Sequence, residues 1–166
     1  MLKPSLSPSD ENRIEGTVTI HCPVEKVFEF YRDFNNLPNF LGDVMAVEQI
    51  SPSAFRWTIQ GPFRFRVNTT VKVIEMRPNR LIRYKTVGVA GLKGSWEVHF
   101  APGSEPNETD VRAVMTIPFA RLGRAALALI GKFPAEEQSS NLHRLKELME
   151  TGRITDTSYA VKGKFA

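Results

Sequence analysis

From Val44 onward apolar and polar residues alternate for about seventy-five positions, broken only by Ser51-Pro52-Ser53, Gly61-Pro62, Arg77-Pro78-Asn79, Gly88 to Gly91, and Pro102 to Asn107. A period of two over that length commits the chain to β-strands, and six fit between the breaks. Alternation sets Phe55, Trp57 and Ile59 on one face of a strand, and Phe63, Phe65, Val67, Thr69 and Val71 on one face of the next. Ile82 and Tyr84 continue the inward pattern, followed by Trp96, Val98 and Phe100, then Val111, Ala113, Met115 and Ile117. The connections are of hairpin length, which favours an antiparallel meander.

The flanks supply what such a sheet needs to cover its apolar face. Arg13 to Ile20 reads as one more half-buried strand, with Ile14, Gly16, Val18 and Ile20 on one side. Pro23 then suits a first helical turn, and Val24, Val27, Phe28 and Tyr31 recur at helical spacing. Asn35-Asn36 interrupts that helix, and Leu37 to Leu41 reads as a second short helical turn ending at Gly42. Leu122 to Phe133 is helical by propensity, and a new helix starts at Pro134. It carries Leu142, Leu145, Leu148 and Met149 on one stripe, opposite Arg144, Lys146, Glu147 and Glu150, and Gly152 stops it. The expected fold class is α+β: a seven-stranded curved antiparallel sheet around a long C-terminal helix, with two short helices after the first strand. Residues 1–12 and 155–166 read as tails around a single domain of residues 13–154.

Composition excludes several classes. With 42% apolar and 24% charged residues the chain is neither disordered nor fibrous. The net charge of +4 would suit an anionic partner, but the basic residues are dispersed. Arg64 and Arg66 alternate with Phe63 and Phe65 as on the wet side of a strand, so no nucleic-acid role is expected. One cysteine, Cys22, has no internal partner and no clustered histidines with which to build a zinc site, so neither metal nor cofactor is expected. No run of roughly 18 apolar residues is present and the start lacks the apolar centre of a signal peptide, which makes a cytoplasmic location the expectation.

A twisted sheet wrapped round one helix leaves a gap near the end of that helix, where pockets form. Phe40, Trp57, Phe65, Val67, Tyr84, Trp96, Met115, Leu142 and Leu145 are the expected lining. Four stretches strengthen this expectation: P-V-E-x-V-F from Pro23, D-F-x-N-L-P-x-F from Asp33, R-P-x-x-x-I-x-Y from Arg77, and L-x-x-L-K-x-L-x-E-x-G from Leu142. With the order of elements they make residues 13 to 154 resemble the polyketide cyclase/dehydrase-like, coenzyme Q-binding-protein-like branch of the START and birch-pollen-allergen (SRPBCC) superfamily. The resemblance implies a helix-grip fold and a cavity for sterols, quinones, lipids, polyketides or plant hormones, and only some members are enzymes.

Catalysis would require a proton-moving group in that cavity. His21 lies at a strand end, His99 on the parity opposite Trp96 and Val98, and His143 beside the helical stripe, and their positions form no nucleophile-base-orienter pattern. Tyr84 and Arg83 are the polar residues best placed to anchor a ligand oxygen, Tyr84 being the one candidate for an acid or base. Two readings follow: a binding protein for a small hydrophobic molecule, and a cyclase or dehydratase using the same cavity. A third, a regulatory partner protein using its basic face, has only the alternating arginines behind it. Arg121, Arg124 and Lys132 flank the apolar run at Leu122 to Ile130, which suits a lid helix or a transient membrane contact. The assembly is expected to be a monomer or a homodimer.

Overall fold

The computed structural model describes residues 13–87, 94–117 and 133–166. The expected tail at 1–12, the turn at Gly88 to Gly91 and, apart from Phe133, the helix expected over Leu122 to Phe133 lie outside the described residues. The elements run β1 (Arg13–Ile20), α1 (Val24–Arg32), a 3-10 turn (Phe34–Asn39), β2 (Val44–Ser51), β3 (Ala54–Gln60), β4 (Arg66–Arg77), β5 (Leu81–Val87), β6 (Ser95–Pro102), β7 (Thr109–Thr116) and α2 (Pro134–Thr151).

The strands form one antiparallel sheet in the order β1-β7-β6-β5-β4-β3-β2. β2 to β7 are a meander, and β1 joins it by pairing with β7, Val18 opposite Val111. α1 and the 3-10 turn carry the chain from one sheet edge to the other. Register shifts at Val44/Ala46 and Gln49/Ser51 in the β2–β3 pair, and at Val73/Glu75 in the β4–β5 pair, are the bulges that bend such a sheet.

α1 buries Val27, Phe28 and Tyr31, with Phe28 edge-on to Phe100 of β6 at 5.3 Å between centroids. In the 3-10 turn Phe34 meets Phe55 at 4.8 Å and Tyr84 at 5.2 Å, and Leu37 is fully enclosed. α2 buries Leu142 and Leu145 and half-buries Leu148 and Met149, as its stripe predicts. It comes close to β1 because residue 16 is glycine: a Cβ there would lie 3.0 Å from Leu142 Cδ1. Gly152 ends the helix in the left-handed region with φ 72°.

Two expectations fail on the far face of α2. Arg144, assigned to solvent, is fully buried, and residues 155–166, assigned to a tail, are fastened over it. Its guanidinium donates to Phe40 O (2.8 Å), Ser158 O (2.7 Å) and Asn141 Oδ1 (2.6 Å), and lies 5.0 Å from the Phe165 ring centre. Glu147 accepts from the backbone N–H groups of Thr155 and Asp156, Val161 N–H donates to Gly42 O (2.9 Å), and Lys164 Nζ donates to Leu41 O and Val44 O. One helical residue and one terminal lysine thus satisfy carbonyls that a solvated tail would leave to water. The segment forms a strap across residues 40–44. Burial pulls the Lys164 pKa down to about 8, against the opposing charge of Asp43.

Candidate functional site

Phe40, Leu41, Asp43 and Val44, held under the strap, form part of a cavity of about 120 Å³ between the concave sheet face and the first half of α2. β3 contributes Trp57 and Ile59, β5 Tyr84, β6 Trp96 and Val98, and β7 Ala113 and Met115. α1 contributes Tyr31, and α2 contributes Glu137, Gln138, Asn141 and Leu142. Strand alternation explains the choice, because every second residue of a strand points to the same, concave side of the sheet.

Five aromatic rings line the wall: Tyr31, Phe40, Trp57, Tyr84 and Trp96. Tyr84 and Trp96 stack with centroids 5.3 Å apart and planes 11° from parallel, and Trp57 stands 5.8 Å from Tyr84 and 6.4 Å from Trp96. They are cross-strand neighbours: Tyr84 pairs with Trp96 across β5 and β6, and with Val73 across β4. Tyr31 reaches in from α1 and shares a hydrogen bond of 3.0 Å with Tyr84, oxygen to oxygen. Burial pushes the Tyr31 phenol up to about 12, and burial together with Tyr31 raises Tyr84 well above the usual value. Both are neutral hydrogen-bonding groups at physiological pH.

Six of the nine expected lining residues lie on the wall: Phe40, Trp57, Tyr84, Trp96, Met115 and Leu142. Leu145 is buried in the core instead, one turn further along α2. Phe65 and Val67 are corrected outright, at 70% and 39% exposed. Phe65 precedes β4, in a turn where Phe63 and Arg64 take left-handed φ values of 56° and 62°, and inward burial of β4 starts only at Thr69 and Val71. Arg83 is also on the wrong side, since alternation turns it outward to Glu75 (2.7 Å) and Glu97 (3.1 Å).

Among the polar groups of the wall, sequence reasoning missed Tyr31, Asp43, Glu137, Gln138 and Asn141. Tyr31 was already on the apolar stripe of α1, and Gln138 and Asn141 share the face of Leu142 and Leu145 at helical spacing, so a polar residue on an apolar face was the available signal. Asp43 and Glu137 have no such mark.

The three histidines lie off the wall and pair with carboxylates: His21 with Glu108 (3.2 Å), His99 with Glu97 (3.2 Å) and His143 with Asp156 (3.1 Å). Among the described residues no three metal-ligating side chains cluster, and no helix is long and apolar enough to cross a membrane. The arrangement can enclose an apolar group, stack on it and offer it neutral hydrogen bonds.

Solved structures of the same shape are numerous. A protein of Deinococcus radiodurans is 23% identical with a TM-score of 0.67, covering 84% of this chain and 98% of that one. One from Thermus thermophilus is 21% identical with a TM-score of 0.64, covering 81% and 94%. A START superfamily protein from Mycobacterium smegmatis is 15% identical with a TM-score of 0.63, covering 82% and 98%. At these identities the likeness establishes the helix-grip fold alone. No curated protein matches by sequence. The family model described as polyketide cyclase / dehydrase and lipid transport matches residues 11–150, so the chain belongs to that family.

Proposed function

We propose that this protein binds a small hydrophobic molecule in the cavity between the sheet and α2, holding it without transforming it. The observation that carries this reading is the wall itself: Trp57, Tyr84 and Trp96 packed ring against ring along a partly open cavity, with the histidines outside it. Apolar ligand surface buried there is worth roughly 25 cal/mol per Å². The volume of about 120 Å³ is below the roughly 300–1,000 Å³ of typical ligand pockets. It is near the ~150 Å³ engineered cavity that admits benzene. The enclosed part of the ligand is therefore about one ring in size. Family membership agrees with binding and with cyclisation alike.

The cyclase or dehydratase reading has one observation in its favour, the Tyr31–Tyr84 pair, which could polarise a substrate carbonyl. Proton abstraction would need another group, and Asp43 and Glu137 are the wall's only carboxylates among the described residues. Native mass spectrometry with organic extraction of protein purified from its own host tests the binding reading. A stoichiometric apolar molecule, recovered unchanged, supports it. Conversion of a polyketide-type substrate that stops in the Asp43→Asn or Glu137→Gln protein would replace it with the enzymatic one.

A further inference from the structure

One end of the sheet carries an apolar surface outside the cavity. The β3–β4 hairpin closes with Gln60 opposite Arg66, and the chain turns from Gly61 to Phe65, pinned by Gly61 N–H donating to Phe65 O at 2.8 Å. At its tip Phe63 is 85% exposed and Phe65 70%. Phe63 and Arg64 both hold left-handed backbone angles, a conformation unfavourable for a residue with a Cβ, and neither side chain is buried in return.

Other exposed apolar groups gather at the same end. Val67 follows on β4, and Phe133, directly before α2, lies ring to ring with Tyr159 at 5.8 Å, all three exposed. Ile50 and Ile74, the remaining exposed large apolar residues described, lie in the far halves of β2 and β4. The cavity reaches this end too: Ile59, Trp96 and Met115 each stand one rung short of the last pair of their ladders, and Pro134 opens α2.

Charge indicates what covers the tip. Arg64 and Arg66 alternate with the two phenylalanines, both are exposed, and neither is held by an ion pair among the described residues. Behind them, exposed Lys72 pairs across the strands with exposed Lys85. The carboxylates near this end lie elsewhere on the rim: Asp43 on the cavity wall, coupled to Lys164 and Arg144, and Glu136 and Glu137 on α2, which packs chiefly against β1. Rings that protrude singly between arginines do not build the packed core of a protein interface, which takes roughly 800 Å² from each partner. They do match a bilayer surface, whose headgroup region receives aromatic side chains and whose anionic lipids attract arginine.

We infer that the tip of the β3–β4 hairpin docks the protein on an anionic lipid bilayer, with Phe63 and Phe65 entering the headgroup region and Arg64 and Arg66 meeting lipid phosphates. Docking of this kind stands whether or not the cavity holds a ligand, and it turns the cavity end of the sheet towards the membrane.

Co-sedimentation of the full-length protein with vesicles tests it, using phosphatidylcholine mixed with phosphatidylglycerol and phosphatidylcholine alone. The protein binds the mixed vesicles, and binds pure phosphatidylcholine at least roughly tenfold more weakly. At about fivefold for each arginine near an anionic surface, Arg64→Gln/Arg66→Gln lowers binding by roughly 25-fold. Phe63→Ser/Phe65→Ser lowers it by roughly tenfold or more. Ile74→Ser, exposed on the far half of β4, stays within about twofold of wild type. All these variants keep the wild-type urea midpoint, because the substituted side chains are exposed. In Phe63→Trp the added indole shifts its emission to the blue on the mixed vesicles and is quenched by brominated lipid. No binding to the mixed vesicles, or equal binding by the wild-type protein and both tip variants, would overturn the docking surface. So would sedimentation velocity in which Phe63→Ser/Phe65→Ser dissolves a wild-type dimer, since a second copy would then cover the tip.

Discussion

Arg144→Met keeps the length of the side chain and deletes the guanidinium, which makes it the sharpest probe of the strap. The wild-type group donates to Phe40 O at 2.8 Å, Ser158 O at 2.7 Å and Asn141 Oδ1 at 2.6 Å from a fully buried position. Each acceptor left buried and unmatched costs about 1–3 kcal/mol. Against that stands the relief of no longer burying a cation, a desolvation cost that also draws the Arg144 pKa below its usual value. Asn141 Oδ1 retains its bond from Gly42 N–H, so the loss falls mainly on the carbonyls of Phe40 and Ser158, and on the longer contact of 3.4 Å to Asp156 O. The net destabilisation expected is about 2–4 kcal/mol. At roughly 2–4 °C per kcal/mol for a chain of this size, Tm falls by roughly 4–16 °C. Urea unfolding reads the free energy, the midpoint falling at unchanged slope. Limited proteolysis reads the strap, with cleavage after residue 152 accelerated ahead of global unfolding. A loss below about 0.5 kcal/mol with the strap still protected would refute the claim that this residue fastens it.

Gly42→Ala attacks the same contact from the other side: the new Cβ would fall 2.7 Å from Tyr159 O and 3.0 Å from Ala160 Cα, both backbone, so the strap must shift and its proteolysis accelerates as in Arg144→Met. The pH dependence has two opposed parts. Lys164 titrates near 8 when folded, below its ordinary value of about 10.4, so the unfolded chain holds more protons between those limits and stability rises with pH there. Tyr31 titrates at about 12 when folded, above the ordinary value of about 10, so its contribution is complete below pH ~10 and is lost as pH climbs to about 12. Urea midpoints against pH should therefore lose the rise in Lys164→Met and show a smaller alkaline fall in Tyr31→Phe. Trp57→Ala weakens binding of an apolar ring by tenfold or more, while Phe65→Ala, 70% exposed and off the wall, leaves it within twofold in the same titration.

The sheet was legible because its signal is local and repeated: Phe55, Trp57, Ile82, Tyr84, Val98, Phe100 and Val111 all face inward as period-two parity requires. The same rule misled at Phe65 and Val67, because parity assigns a face and does not say how far along a hairpin that face is covered. Arg144 and the strap failed for a different reason. A lone arginine opposite an apolar stripe is ordinarily solvated, and its burial depends on carbonyls from residues 40, 156 and 158, which no local pattern announces. Residues 155–166 have the composition of a tail and are ordered by a few long-range hydrogen bonds rather than by apolar periodicity. The aromatic half of the candidate site was visible for the same reason as the sheet. Its polar half was visible only as the anomaly of Tyr31, Gln138 and Asn141 on otherwise apolar helical faces.

The central claim, that the cavity between the sheet and α2 is where an apolar molecule binds, is tested most directly by filling it. Ala113 lies on the wall within β7, and Ala113→Phe places a ring where the ligand ring would sit. Ethylbenzene titrated into the wild-type protein should shift the resonances of Trp57, Trp96 and Met115 with saturable one-to-one binding. In Ala113→Phe, with circular dichroism confirming the fold, those shifts should vanish. Equal binding by the two proteins, or shifts centred on the exposed Phe63 and Phe65, would place the ligand elsewhere and contradict the account.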